Sequence, residues 1–129
     1  MTPEQSGWSA AELDAIGRSD ELQIASRRDD GSLRPYVTIW TVRIGDEVYV
    51  RSAYGATNPW FVRAKRAGRA RIRAGGVERD VTLAPADDVE GATLDAEYHR
   101  KYDRYGQRIV GTVVGEKAHP NTLRLQPEE

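Results

Sequence analysis

No cysteine occurs among the 129 residues, which excludes a disulfide framework, a thiolate nucleophile and a Cys-ligated metal. No apolar run approaches the roughly 20 residues that a membrane-spanning helix needs, and Met1 to Trp8 has neither the basic nor the apolar stretch of an export signal. The expectation is a cytoplasmic protein without a membrane partner. Neither sign of charge prevails. Lys plus Arg is 19 against 20 Asp plus Glu, a net charge of -1, so bulk charge favours neither nucleic acid nor anionic lipid. Any anion site must be local. Of the basic residues only Lys65, Lys101 and Lys117 are lysines. The two histidines, His99 and His119, stand at no metal-ligand spacing, so no metal is expected. Gly-x-Ser-x-Gly elbows, Walker loops and dinucleotide fingerprints are also missing.

What is present is a dense run of strand and turn signals in one domain's length of chain. Ser9 and Glu12 form a capping box with Trp8 placed to staple onto Leu13, predicting a helix from Ala10 to Ile16 that Gly17 ends and that lies across the edge of something larger. Glu21–Arg28 and the Tyr-, Val-, Thr- and Trp-rich run Arg34–Ile44 read as paired strands around Asp29-Asp30-Gly31-Ser32. Gly45-Asp46 then turns that long run into Glu47–Ala53. Asn58-Pro59 opens a short helix to Ala67 with Gly68 just beyond it. Gly75-Gly76 makes a second hairpin between Arg69–Ala74 and Val77–Ala84. Thr93–Tyr105 carries Leu94, Tyr98, Tyr102 and Tyr105 at helical spacing with Gly106 as terminator, Gln107–Gly115 reads as short helix or strand, and Thr122–Gln126 as a last strand with Leu123 and Leu125 inward.

Register arithmetic places candidate site residues. With a two-residue turn, Ile44 faces Glu47, Val42 faces Tyr49, Trp40 faces Arg51 and Thr38 faces Ala53, so Trp40 and Arg51 share an outer surface while Val37, Ile39, Thr41, Val48, Val50 and Ser52 point inward. The small-residue loop Ser52-Ala53-Tyr54-Gly55-Ala56-Thr57 then delivers the chain to a helix N-terminus, a setting suited to a phosphate or carboxylate. Arg51 would add a guanidinium fork, Arg63 or Lys65 could close over the anion, and Trp40 and Trp60 offer flat surfaces to a conjugated ring. The same residues support a plainer reading in which Asn58-Pro59 only caps a crossover helix, Trp60 fills the core and Arg51 stacks on Trp40. In the second hairpin Arg73 faces Glu78 and Arg71 faces Asp80, so alternating arginines there do not make a nucleic-acid stripe.

Arg34-Pro35 leading into Thr38-Ile39-Trp40, then Val48-Tyr49-Val50-Arg51-Ser52 with Gly55, then Pro59-Trp60 and a basic helix, resembles the flavin-binding split β-barrel superfamily. The likeness is strongest to its deazaflavin-dependent nitroreductase-like branch and to the bacterial domain of unknown function 2255 family. It covers about Leu22 to Leu83 and returns at Thr122-Leu123-Arg124-Leu125. The resemblance implies a mainly β, α+β fold: one domain over residues 1–129, a small antiparallel split β-barrel with a short crossover helix and peripheral helices. It implies a homodimer holding flavin mononucleotide or a deazaflavin, with Arg51, Ser52, Tyr54 and Gly55 on the phosphate, Arg34 assisting and Trp60 lining the ring pocket. The implied activity is an oxidoreductase of unassigned substrate; a non-catalytic binding protein, and a cofactor-free acid–base enzyme using Tyr98, His99, Tyr102 or Asp103, are the alternatives. One stretch departs from the nitroreductase-like pattern. Where that branch is Gly- and Arg-rich, this chain has Asp29-Asp30-Gly31-Ser32, whose carboxylates repel a multiply phosphorylated or polyglutamylated cofactor.

Overall fold

The computed structural model describes residues 7–53, 55–86 and 88–128. Helix α1 (Ala10–Arg18) opens on the reciprocal capping box, with Ser9 Oγ accepting the Glu12 N–H at 3.1 Å and the Glu12 carboxylate accepting the Ser9 N–H at 2.9 Å. Gly17 does not end it. The helix continues to Arg18 and closes where the Ser19 N–H reaches the Ile16 carbonyl, while Gly17 lies against the Arg43 side chain. Leu13 and Ile16 are buried, and Trp8 seals this end by donating its indole N–H to the Leu125 carbonyl at 3.1 Å.

Seven strands follow: β1 (Leu22–Ser26), β2 (Val37–Ile39), β3 (Thr41–Ile44), β4 (Glu47–Arg51), β5 (Arg69–Ala74), β6 (Val77–Pro85) and β7 (Thr122–Pro127). They form one antiparallel sheet in the order β2-β1-β5-β6-β7-β4-β3. The two edge strands are consecutive in the chain and joined by Trp40 alone, so the sheet curls into a nearly closed barrel. Helix α2 (Pro59–Ala67) crosses between β4 and β5, and α3 (Gly91–Tyr102) and α4 (Gln107–Val110) lie between β6 and β7, as a mainly β, α+β fold requires. Among the described residues no helix is long and apolar enough to cross a membrane.

The run Arg34–Ile44 is therefore two strands rather than one. Its first half pairs with β1 and its second with β4, because a sheet that closes on itself must turn a corner. Val42 opposes Tyr49 and Ile44 opposes Glu47 as the turn arithmetic gives, but Thr38 opposes Gln23 instead of Ala53, and Trp40 sits at the corner outside both ladders. The second hairpin follows its predicted register. Gly75 and Gly76 take φ of +57° and +86°, and Arg73–Glu78 (2.7 Å) and Arg71–Asp80 (2.9 Å) form ion pairs across the ladder. α2 has the predicted bounds, with Gly68 left-handed at its end. The tyrosine-bearing helix begins and ends earlier than its spacing suggests, at Gly91 and Tyr102, and a 3-10 turn carries Asp103–Tyr105.

Two apolar cores result. The barrel interior holds Leu22, Ile24, Val48, Val50, Ile72 and both Leu123 and Leu125, closed by α1 and by Trp60 and Phe61 of α2. The outer face of β3 and β4 carries Val42 and Tyr49, which Leu94, Tyr98 and Tyr102 of α3 cover together with Val110 and Val113. The chain thus buries the second apolar face of these strands itself. Of the inward set, Val37 is the exception at 39% exposure.

α3 also holds the corner at Trp40. The Tyr102 ring stacks on the indole at 4.0 Å and 6°, and its hydroxyl accepts the Thr41 N–H (3.1 Å) and donates to the Asp20 carbonyl (2.7 Å). Lys101 Nζ, buried beside it, donates to the Thr41 carbonyl at 2.7 Å. Both main-chain groups of Thr41 at the corner are satisfied by one helix end. Burial pushes the Lys101 ammonium down to about 8 from its ordinary 10.5. The unfolded chain then binds more protons than the folded one between these values, so this lysine makes stability rise with pH across about 8 to 10.5, by at most roughly 1.4 kcal/mol per pH unit. Lys101→Met should remove that rise, read as the difference between wild-type and variant urea midpoints against pH.

Candidate functional site

Arg51 ends β4 on the outer face, where the sequence reading left it open to solvent beside Trp40. The structure covers it completely: its side chain has 0% exposure. Nε donates to Thr122 Oγ1 (2.8 Å), one terminal nitrogen to Asp95 Oδ1 (2.5 Å) and the Val113 carbonyl (2.7 Å), and the other to the Gly91 carbonyl (3.2 Å). Four of five N–H groups are committed to protein. The aromatic face beside this guanidinium is Tyr98, 5.4 Å from Cζ to the ring centroid, while Trp40 belongs to Tyr102.

Asp95 extends this cluster. Its second oxygen accepts the Gly115 N–H at 3.1 Å and lies 3.0 Å from His119 Nε2. Burial alone would raise its carboxyl, but Arg51, His119 and the Gly115 N–H together hold it below the ordinary carboxylate range. Gly91 is required here because a Cβ would fall 2.1 Å from the His119 ring. None of these partners is legible near Arg51 in the chain: Asp95 is 44 residues on and Thr122 is 71.

The remaining candidates fall into three places. Trp40, Arg51 and Trp60 line a cleft of about 290 Å³ whose other walls include Val37, Asn58, Ile109 and Thr112. Arg34 and Arg63 line a second cleft of about 400 Å³ with Arg27, Arg28, Arg66, Asp29 and Asp30. A narrow neck connects the two, since its walls include Val37 and Trp60 of the first and Arg34 and Arg63 of the second. Ser52 and Gly55 line a separate cleft with Lys117 and Asn121, and the Ser52 hydroxyl is spent on the Gly55 carbonyl at 2.6 Å. Tyr54 lies outside the described residues. Asn58 turns its side chain to the Ala53 carbonyl (3.2 Å) instead of capping α2, and Trp60, though buried in the core, presents an edge to the cleft and the neck.

The chemistry of the second cleft differs from that around Arg51. Arg27 is held by Asp80 and the Gly31 carbonyl, and Arg28 by Ser32 and the Leu33 carbonyl. Arg34, Arg63 and Arg66 have no hydrogen bond or ion pair among the described residues, so they are the guanidinium groups available to an anion. An apolar and aromatic compartment leading to unpaired arginines fits a cofactor with a conjugated ring and a phosphate. Tyr98 and Tyr102 are sealed in the outer core with phenols pushed up by burial, and His99 and Asp103 contact each other at 2.7 Å on the exposed face of α3. Among the described residues no three His, Cys, Asp or Glu side chains are placed to hold a metal.

Seven antiparallel strands curled into a nearly closed barrel, with a helix crossing between the fourth and fifth, define a split β-barrel protein, and solved structures of that class superpose on the chain. The haem storage protein HutZ from Vibrio cholerae matches with a TM-score of 0.60 at 15% identity, covering 90% of this chain and 87% of that one. A FAD-binding protein from Mesorhizobium loti gives 0.55 at 14%, covering 95% and 91%, and an F420 reductase gives 0.53 at 14%, covering 90% and 92%. Comparison with curated proteins finds no match. Residues 12–125 match the family described as uncharacterized protein conserved in bacteria, DUF2255, and the chain belongs to that family.

Replacing Asp95 by Asn leaves the Arg51 charge buried without its counter-ion. The expected loss is about 3 kcal/mol of unfolding free energy, measured by urea denaturation at neutral pH.

Proposed function

We propose that the chain binds a flavin-type cofactor, flavin mononucleotide or a deazaflavin, in the groove formed by the two clefts and their neck, and serves as an oxidoreductase on it. The observation that carries this reading is the groove's continuity: Val37 and Trp60 link the aromatic compartment to the neck, and Arg34 and Arg63 link the neck to the basic compartment. The ring lies by Trp40 and Trp60, and the phosphate by Arg34 and Arg63. Arg51 acts at one remove by fixing Val113, and so the wall carrying Ile109 and Thr112, against the barrel. The bound cofactor supplies hydride or electron transfer, while the protein supplies orientation and charge. FAD binding by one structural neighbour and the F420 chemistry named for another support this class of ligand.

The mouth of the aromatic compartment carries Val37 and Ile109, 39% and 46% exposed. A second copy of the chain packed over this mouth would bury both and shield the ring from water, which makes a homodimer the working assembly.

Titration of purified protein with flavin mononucleotide and with a deazaflavin, followed by ligand fluorescence, should saturate with at least one; no saturable change with either would sink the reading. Arg34→Ala and Arg63→Ala should each weaken binding by roughly 10- to 100-fold, the loss typical of a charge-assisted hydrogen bond, while Arg69→Ala, whose guanidinium is paired with Glu128, should leave it unchanged. Ile109→Glu should convert a dimer sedimentation coefficient into that of a monomer.

A further inference from the structure

The basic compartment is not uniformly basic, and its two signs of charge are separated along the groove. Arg34 and Arg63 belong both to the neck and to the compartment, so they stand at its inner end, next to the aromatic cleft. Asp29 and Asp30 line the compartment but not the neck, so they stand at its outer end. Both are exposed.

The turn that carries them is well fixed. The Arg28 N–H reaches the Ser32 carbonyl at 2.8 Å and the Gly31 N–H reaches the Arg28 carbonyl at 2.9 Å. Asp30 accepts both the Ser32 N–H (2.9 Å) and the Ser32 hydroxyl (2.6 Å), hydrogen bonds that hold its carboxyl below the ordinary range and keep it ionised. Arg28, the nearest cation in sequence, is turned toward Ser32 and the Leu33 carbonyl. Asp29 has no hydrogen bond or ion pair among the described residues. Beyond the inner pair of arginines a ligand therefore meets two fixed negative charges, with Arg66 of α2 as the cation left unpaired there.

Resting on the reading that a flavin-type cofactor occupies the groove, we propose that Asp29 and Asp30 are specificity-determining residues that admit a cofactor ending in a single phosphate and disfavour one whose tail continues as a chain of carboxylates. A single phosphate is matched by two guanidinium groups at the inner end and stops short of the turn. Each further carboxylate runs past Asp29 and Asp30, where like charges within a few ångströms repel. Because the aspartates face solvent, the repulsion is screened by salt within a Debye length of about 8–10 Å.

Three probes test this by calorimetric titration: flavin mononucleotide, a deazaflavin phosphodiester without glutamate, and the same deazaflavin with an oligoglutamate tail. In 20 mM salt the tail should weaken binding to the wild type. The double variant Asp29→Asn, Asp30→Asn should restore the tailed ligand by roughly five- to tenfold and leave the two short ligands unchanged, and the gain should vanish at 0.5 M salt. Asp29→Asn alone, which leaves the Asp30–Ser32 turn untouched, should give part of the gain. If the wild type binds the short ligands but its affinity is indifferent to the tail, or the variants change nothing, the charge filter is overturned and the cofactor reading stands. If none of the three ligands binds the wild type, the cofactor reading falls and takes the filter with it.

Discussion

One guanidinium, removed from water and neutralised by a single carboxylate, sits where three parts of the chain meet. Arg51 belongs to the barrel, Asp95 and the Gly91 carbonyl to the start of α3, and Val113 to the segment that follows α4. Carrying a charge into such a place is unfavourable unless every hydrogen bond is supplied, and here the outer layer supplies them. The outer layer is consequently held by directional bonds as well as by the packing of Leu94, Tyr98 and Tyr102. Its position decides the groove, because Ile109, Thr112 and Val113 form one wall of the aromatic compartment.

The opposite end of α3 does related work at the barrel corner. There Tyr102 and Lys101 take the place of ladder partners for Thr41, and the indole of Trp40 is clamped flat on a phenol ring. The helix thus fixes β4 at its first turn and the β2–β3 junction at its last, two positions that the sheet's own hydrogen bonds leave to other groups.

Local rules carried the reading of the sequence as far as local interactions reach. The capping box at Ser9, the bounds of α2 and the register of both hairpins depend on residues within ten positions of one another, and all are legible in the chain. The break at Trp40 is not legible, since nothing in Thr38-Ile39-Trp40-Thr41 says that its two halves pair with different strands; closure of the barrel imposes that. Arg51 shows the same limit. Its face of β4 follows from alternation, but the lid over that face is α3, and the apolar stripe of a helix does not name the surface it covers. The arginines and tryptophans singled out as candidates do line a common groove, while Ser52 and Gly55 close their own loop and face another cleft.

The closing of the barrel through Trp40 also bears on solubility and assembly. The sheet's two edges, β2 and β3, are three and four residues long, and Pro35, which has no N–H to donate, stands just ahead of β2. Edges this short are poor templates for strand addition by another chain, which protects the protein from edge-to-edge aggregation. A second copy meeting this side of the molecule must do so through side chains such as Val37 and Ile109, so association here is governed by shape and by the few residues at the rim, and it can change over evolution without any change to the sheet.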